Sequence, residues 1–523
     1  MLLTCSLVAL ALAGSPAGGR HLETTIQDDA VLLGSAPATV REAAERIAWL
    51  GADRVRITAG WSALAPEPGS RRRPGRPFDP RDPATYPREA FLRLDRAVKA
   101  ARAARLDVML DLAFWAPRWA VRRAVAPAHR QTWRPDPTEF GHFAAAVARR
   151  YDGTYPDPER QGARLPAVRM WTTWNEPNSR TFLRPQWVRR AGSWRPASPH
   201  VYRAMHNAAY DELERSSPHN AVLVGGTAAT GSRVPGRGGV PPLRFLRELA
   251  CVDDALRPLS TPECRDFRAL RAHGYAHHPY SRFATPATSD PDPDAAPLAD
   301  AKRLQGLLSA LHEAGRIQRR LPLYQTEYGY ETNPPDPTAT FDLQRQAQFV
   351  GWSTYLAWRD WGTRMFSQFL LRDIDPRQSM RRPGQTRYWS DFQTGLFFAD
   401  GTPKPAAQAF RLPFWAEART VGGQPVVVLF GGVRSARQRA VVRVERRGGA
   451  GPWVPIAVSG ETCDNGGPAF LTDSAGWFTR VAPYEGPASY RLARLRPDGD
   501  WEPGIEVPVA TDLSLGPGAR PGA

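Results

Sequence analysis

Short apolar runs alternate with helical patterns from about residue 28 to 375, and this constrains the fold more than any other feature. Asp53-Arg-Val-Arg-Ile-Thr58 reads as a strand. It follows a helix over 39–50 with Val40, Ala43, Ala44, Ile47 and Leu50 at helical spacing. Phe91 to Ala104 reads as a second helix, before the strand Val108 to Leu112. The pattern repeats with a helix through Phe140, Phe143, Ala144, Val147 and Tyr151, then the strand Val168 to Trp174. Tyr202, Met205, Ala209 and Leu213 mark the next helix, before Ala221 to Gly225. Helical stretches at 242–250, 304–311 and 341–359 precede strands at Ala269 to Tyr275, Leu321 to Gln325 and Met365 to Leu371. A first strand near Val31-Leu-Leu33 brings the count to about eight β–α units. Strict alternation implies a parallel sheet, and eight units favour a (β/α)8 TIM barrel. A doubly wound open sheet is the alternative, but no Gly-rich phosphate loop follows the first strand.

Beyond about residue 416 the pattern changes to short alternating runs separated by Gly/Pro-rich turns, as in Val426 to Gly431 and Ser489 to Leu495. That predicts a small C-terminal β-sandwich. The expected organisation is a signal peptide over 1–20, a barrel over 28–415, an accessory sandwich over 420–510 and a disordered tail over 511–523. The signal reading rests on the apolar run Leu2 to Gly14, too short to span a membrane and followed by small residues. No other apolar run approaches the roughly 20 residues of a spanning helix, so no integral membrane segment is expected in the mature chain. A buried N-terminal strand is the alternative to the signal.

Composition removes other classes. With 17 Trp, 21 Phe and 14 Tyr, whole-chain disorder is excluded. The net charge of +17 invites a nucleic-acid reading. Yet Lys occurs only three times, so 66 of the 69 basic residues are Arg, and they are scattered. The densest runs, Arg71-Arg72-Arg73 and Arg381-Arg382, fall in Pro/Gly-containing loops. No nucleic-acid partner is expected. Cys251 and Cys264 lie 13 apart around a polar, Pro-containing loop and are a plausible disulfide in an oxidising compartment. Cys5 would be lost with the signal, and Cys463 is left over. No CxxC or Cys/His cluster suggests a metal, and no cofactor is expected.

Functional residues of a barrel sit where its strands end. Glu176 ends the fourth strand in Trp174-Asn175-Glu176-Pro177, and Glu327 ends the seventh in Gln325-Thr326-Glu327-Tyr328. Carboxylates there face each other across the barrel mouth. Hydrolysis of a glycosidic bond needs such a pair, one protonated to release the leaving oxygen and one ionised to attack the anomeric carbon.

Asn175-Glu176-Pro177 together with Glu327 resembles the superfamily of retaining β-glycoside hydrolases, which carries its catalytic glutamates on strands 4 and 7. The likeness covers about residues 28–412. It implies a hydrolase of O-glycosidic bonds in a poly- or oligosaccharide, with Glu176 as acid/base and Glu327 as nucleophile; the signal reading makes it secreted, and the net charge favours an acidic or envelope-associated glycan over a neutral one. It further implies that Asn175 contacts the sugar 2-hydroxyl and that Arg56 on strand 2 supports the nucleophile. His278-Pro279-Tyr280 matches the His-x-Tyr of strand 6, although His273 and His277 are close and His277 is an alternative inward residue. Phe114-Trp-Ala-Pro-Arg-Trp119 is similar to the Pro-x-Trp of the xylosidase and exopolysaccharide-hydrolase branches. Trp61, Trp115 and Trp119 are candidates to stack on sugar faces, or else pack the rim. Many members end strand 8 in Trp; here Phe369, Gln368, Arg372 or Trp389 must stand in. Asp373 and Asp375 are weaker alternative carboxylates. Two other readings stay open: a catalytically inactive glycan-binding barrel, and a basic protein holding anionic cell-envelope polymer. Oligomeric state and the sugar itself are not legible.

Overall fold

Eight parallel strands close into a barrel: β1 Glu23–Gln27, β2 Arg54–Gly60, β3 Asp107–Ala113, β4 Met170–Thr173, β7 Ala221–Ala228, β8 Gly274–His278, β9 Leu323–Gln325 and β10 Thr363–Phe369. The ring closes where β1 pairs with β10, Glu23 opposite Met365 and Gln27 opposite Phe369. This is a computed structural model, and it describes residues 21–34, 36–121, 131–376, 388–389, 392–434, 439–460, 463 and 468–509. The expected signal peptide, the Arg381-Arg382 run and the expected disordered tail all lie outside the described residues. Inside the barrel, Met109, Met170, Leu223, Ala276 and Met365 form one apolar layer. These residues are why the interior is a packed core and not a channel.

The helices are α1 Asp29–Leu32, α2 Pro37–Trp49, α3 Trp61–Leu64, α4 Arg88–Ala103, α5 Pro137–Arg150, α6 Ser198–Ser216, α7 Pro242–Leu249, α8 Ala301–Glu313, α9 Leu343–Arg359 and α10 Pro405–Arg411. Their apolar stripes follow the spacing read from sequence; α4 buries Phe91, Leu94, Ala97, Val98 and Ala101. Among the described residues no helix is long and apolar enough to cross a membrane.

Three elements depart from the sequence reading. The first strand is not at Val31–Leu33 but at Glu23–Gln27, where Thr24, Thr25 and Ile26 suit a buried strand. Val31 and Leu32 lie in α1, a single turn begun by the Asp28 carboxylate accepting from the Val31 N–H at 3.3 Å. The sixth barrel strand starts at Gly274, later than Ala269, which leaves His277 and His278 at its end. The loop after β4 also holds an unforeseen hairpin, β5 Trp187–Arg190 with β6 Ser193–Pro196.

The chain divides into two compact units. One runs over Leu22–Phe341 and Arg359–Thr402 and contains the barrel. The other includes Asp342–Trp358 and the chain from Pro403 onward. In the second unit, β11 Phe414–Val421, β12 Gln424–Gly432 and β16 Trp477–Pro483 form one antiparallel sheet. β13 Val441–Arg447, β14 Val454–Pro455, β15 Phe470–Leu471, β17 Ala488–Leu495, β18 Trp501–Pro503 and β19 Val507–Val509 form the other. Phe414, Val427, Leu429 and Phe478 of the first sheet share a core with Val442, Val444, Tyr490 and Leu492 of the second, which makes a β-sandwich. α9 packs into this unit through Ala347 and through Trp352, which stacks on Trp415 at 4.4 Å.

Candidate active site

Glu176 is held by backbone that few residues tolerate. Trp174 and Glu176 both have positive φ, at 72° and 39°, on either side of Asn175. Such conformations cost free energy and persist where the surroundings over-determine them. Here the neighbouring strand does so. β7 bulges at Gly225-Gly226, and the Gly226 carbonyl accepts from the Glu176 N–H at 2.8 Å. A side chain at Gly225 would place its Cβ 2.6 Å from the Ala276 carbonyl oxygen. Only glycine lets these backbones approach. Downstream, Asn178 pins the loop: its Oδ1 accepts from the Ala228 N–H at 2.8 Å and its Nδ2 donates to the Ala228 and Val240 carbonyls, both at 3.1 Å.

Glu327 follows β9, whose pairing continues through the Thr326 N–H to the His277 carbonyl at 2.8 Å. Its carboxylate is buried and held from three sides. Arg56 Nη1 donates to Oε1 at 2.5 Å, and the Tyr280 hydroxyl donates to Oε2 at 3.2 Å. His278 Nδ1 lies 3.5 Å from Oε2 and 3.1 Å from Glu176 Oε1, so one ring nitrogen faces both glutamates. One oxygen of Glu176, one oxygen of Glu327 and a ring nitrogen of His278 all lie within 4.8 Å of one another. Burial, and next the Glu327 charge, push the Tyr280 hydroxyl well above its ordinary pKa, so it donates and does not ionise.

Arg56 is fully buried in β2 and distributes its donors. Nη1 also reaches the Gln27 side-chain oxygen, while Nη2 donates to Asp111 at 2.7 Å and to Asn175 Oδ1 at 3.2 Å. The candidates on β2, β4, β8 and β9 are thereby joined into one network. Asp111, in the middle of β3, was not singled out from sequence. It also accepts from the Thr172 hydroxyl at 2.6 Å, and burial, opposed by Arg56, pushes its carboxyl up to about 6. A signal existed: an Asp inside the apolar run Val108 to Leu112 must find a partner or be neutral. Gln27, at the end of the strand misplaced in sequence, was missed for that reason.

The remaining candidates separate cleanly. His277 is not the inward residue; its Nδ1 pairs with the Thr227 hydroxyl at 2.9 Å and its Nε2 with the Ala296 carbonyl at 2.7 Å. Burial lowers its pKa to about 4. His273 lies before β8 and accepts from the Val222 N–H. Trp61 is not available to a sugar. Its ring has 0% exposure and lies against Phe143 and Phe140, because it opens α3 on the side turned toward α5. Trp119 is half-buried; its indole N–H donates to the Pro66 carbonyl at 3.0 Å and its ring meets Trp61 and Phe78 edge-on. Trp115 is the open one, 40% exposed, with its indole N–H on the Thr181 carbonyl at 3.3 Å. At the end of β10, Phe369 stands edge-on to Tyr280 at 6.4 Å, while Gln368 is committed to the Leu370 and Thr394 carbonyls. Asp373 accepts from the Gly395 N–H at 2.9 Å. Cys251 and Cys264 are disulfide-bonded, with Cα atoms 5.6 Å apart.

Two donor groups among the described residues are close enough for a metal, Glu176/His278/Glu327 and His200/Cys251/Cys264. The second is spent in the disulfide. In the first, Glu327 already has Arg56 and Tyr280 as partners.

No protein-family model and no curated protein matches the chain. Solved structures that align with it include a GH5_18 protein from Streptomyces cattleya in complex with GlcNAc. That alignment has 16% identity and a TM-score of 0.44, and covers 75% of this chain and 79% of that one. A glucosidase from Croceicoccus marinus aligns at 14% identity and a TM-score of 0.47, covering 90% and 98%. The endo-beta-1,4-mannanase of Thermotoga petrophila aligns at 11% identity and a TM-score of 0.41, covering 94% and 98%. At such scores these likenesses carry no weight for the chemistry.

Proposed function

We propose that this chain is a retaining glycoside hydrolase that cleaves O-glycosidic bonds of a poly- or oligosaccharide by double displacement. The observation that carries this reading is the spacing of the two glutamates at the barrel mouth. Their nearest carboxylate oxygens are within 4.8 Å. Retaining pairs are about 5–5.5 Å apart, and inverting pairs stand at about 6.5–9.5 Å to leave room for a water.

Glu327, oriented by Arg56 and Tyr280, attacks the anomeric carbon. Glu176 gives its proton to the departing sugar oxygen as that bond breaks. The product of this step is a glycosyl ester on Glu327. Glu176, now ionised, takes a proton from water, whose oxygen displaces Glu327 and releases the sugar with its configuration kept. Asn175 spends its oxygen on Arg56, which leaves its amide N–H groups for a sugar hydroxyl. Trp115, as the exposed ring at the mouth, offers a stacking face.

The same reading includes export. The apolar run Leu2 to Gly14 supports it, and so does the Cys251–Cys264 disulfide, since such bonds persist in oxidising compartments.

The test is a panel of aryl β-glycosides and polysaccharides with wild-type protein and Glu327→Gln. Wild type is expected to release sugar with the β-anomer formed first, read by NMR, and Glu327→Gln to lose turnover by at least 1,000-fold. An α-anomer first product, or undiminished turnover by Glu327→Gln, refutes the assignment.

A further inference from the structure

Basic residues are scattered along the chain, but in two segments no acid accompanies them. Residues 113–135 and 177–197, the segments after β3 and after Glu176, together hold ten Arg and no Asp or Glu. Some of these arginines have partners. Arg190 is paired with Glu263, and Arg118 donates to the Gly69 carbonyl at 3.3 Å. No described carboxylate pairs with Arg180 or Arg184.

These two stand four residues apart on the turn that begins at Glu176. The turn is tight, with the Ser179 N–H on the Glu176 carbonyl at 2.8 Å and the Leu183 N–H on the Ser179 carbonyl at 3.1 Å. Arg184 itself forms an extended bridge to Trp133. Arg184 is half-buried as well as unpaired. Burial and the nearby Arg180 charge lower its pKa. Its backbone cannot swing away, because its N–H donates to the Thr132 carbonyl and its own carbonyl accepts from the Arg134 N–H, both at 2.8 Å. Beside this pair stands the open ring of Trp115, bonded to the carbonyl of Thr181, the residue after Arg180. A ring face that suits a pyranose and two uncompensated guanidinium forks are thus fixed to one loop, and that loop carries Glu176.

We infer that Arg180, Arg184 and Trp115 form a subsite for a sugar bearing an oxyanion, a carboxylate or a sulfate ester, on the side of the scissile bond that Glu176 protonates. The inference rests on the glycosidase reading and names its substrate class as an acidic glycan. The planar fork of Arg matches either oxyanion bidentately, and stacking on Trp115 fixes the sugar that carries it.

The test uses the full-length Glu327→Gln protein, so that binding is measured without turnover, against immobilised chondroitin sulfate, desulfated chondroitin, hyaluronan, glucuronoxylan and carboxyl-reduced desulfated chondroitin at 0.15 M salt. Arg180→Gln/Arg184→Gln is compared with Arg319→Gln/Arg320→Gln, which removes the same charge from an exposed segment before β9, at the end of that strand opposite Glu327. Loss of one charge-assisted contact is about tenfold in affinity. The expected result is at least a tenfold loss on one of the anionic polymers for the first pair only, with no change on the carboxyl-reduced polymer. A difference between the sulfated and desulfated forms identifies sulfate, and equal binding of the two identifies the carboxylate. Equal losses from both pairs, or anionic polymers bound no better than the reduced one, overturn the inference. Because Arg184 is half-buried, the exposed Arg180→Gln alone serves as the folding-safe variant, with a several-fold loss expected. Turnover of a neutral aryl glycoside by Arg180→Gln in the Glu327 background separates the two readings. If no glycoside is cleaved but Arg-dependent binding persists, only the hydrolase reading falls.

Discussion

Asp111 makes the network around Glu327 testable through stability alone. It is a fully buried carboxyl beside Arg56, and burial outweighs that pairing, raising it from an ordinary 3.8 to about 6. The folded state therefore favours the protonated form more than the unfolded chain does. A raised carboxyl contributes stability that is fully present below pH 3.8 and is lost as pH rises through about 6. At 1.36 kcal/mol per pH unit the contribution is about 3 kcal/mol. Asp111→Asn keeps an oxygen for Arg56 and removes the titration. The free energy of unfolding of both proteins is measured by denaturant between pH 3.5 and 7.5, and the difference is plotted against pH. Any constant cost of the substitution cancels in the slope. Relative to Asp111→Asn, wild type should gain about 2.4 kcal/mol as pH falls from 7 to 4. A flat difference would show that Asp111 is not the strained group of the network. A difference of opposite slope would show that its pairing with Arg56 dominates over burial, and the reasoning would fail.

Asp28, buried at the end of β1 and raised to about 7 by the same cause, predicts the same sign for Asp28→Asn with the loss extending to higher pH; equal curves for the two proteins would refute it. Trp61→Ala should cost about 3–5 kcal/mol of stability as a core truncation, whereas Trp115→Ala should leave the melting temperature unchanged and raise KM several-fold. A reversal of these two effects in melting and kinetic assays would contradict their placement. Replacing Cys251 and Cys264 together by Ser should lower unfolding free energy by about 3 kcal/mol, the scale for a loop near 15 residues; an unchanged denaturation midpoint would count against it.

How far the sequence reached depended on the range of the forces involved. The β–α alternation was legible because each element's period is a local property: Val40, Ala43, Ala44 and Ile47 declare a buried helical face without reference to any partner. Glu176 and Glu327 were legible because each ends an apolar run, and strand ends are where a barrel presents side chains. The first strand was misplaced because Val31 and Leu32 are as apolar as a strand needs, and only the cap by Asp28 decides that they form a helical turn. The choice between His277 and His278 had no local signature. Adjacent residues of a strand face opposite sides, and register alone sends one to Thr227 and the other to the glutamates.

The alternating elements, a plausible cysteine pair and the two strand-end glutamates could be read from the chain alone. It took the folded chain to show that Arg56 divides its donors between Glu327 and Asp111, that Trp61 is buried while Trp115 stays open, and that Gly225-Gly226 supports the strained loop of Glu176. The physical reason is the same in each case. Periodicity and capping act over a few residues, whereas the partner of a buried charge and the exposure of a ring are set by what closes around them from strands far apart in the chain.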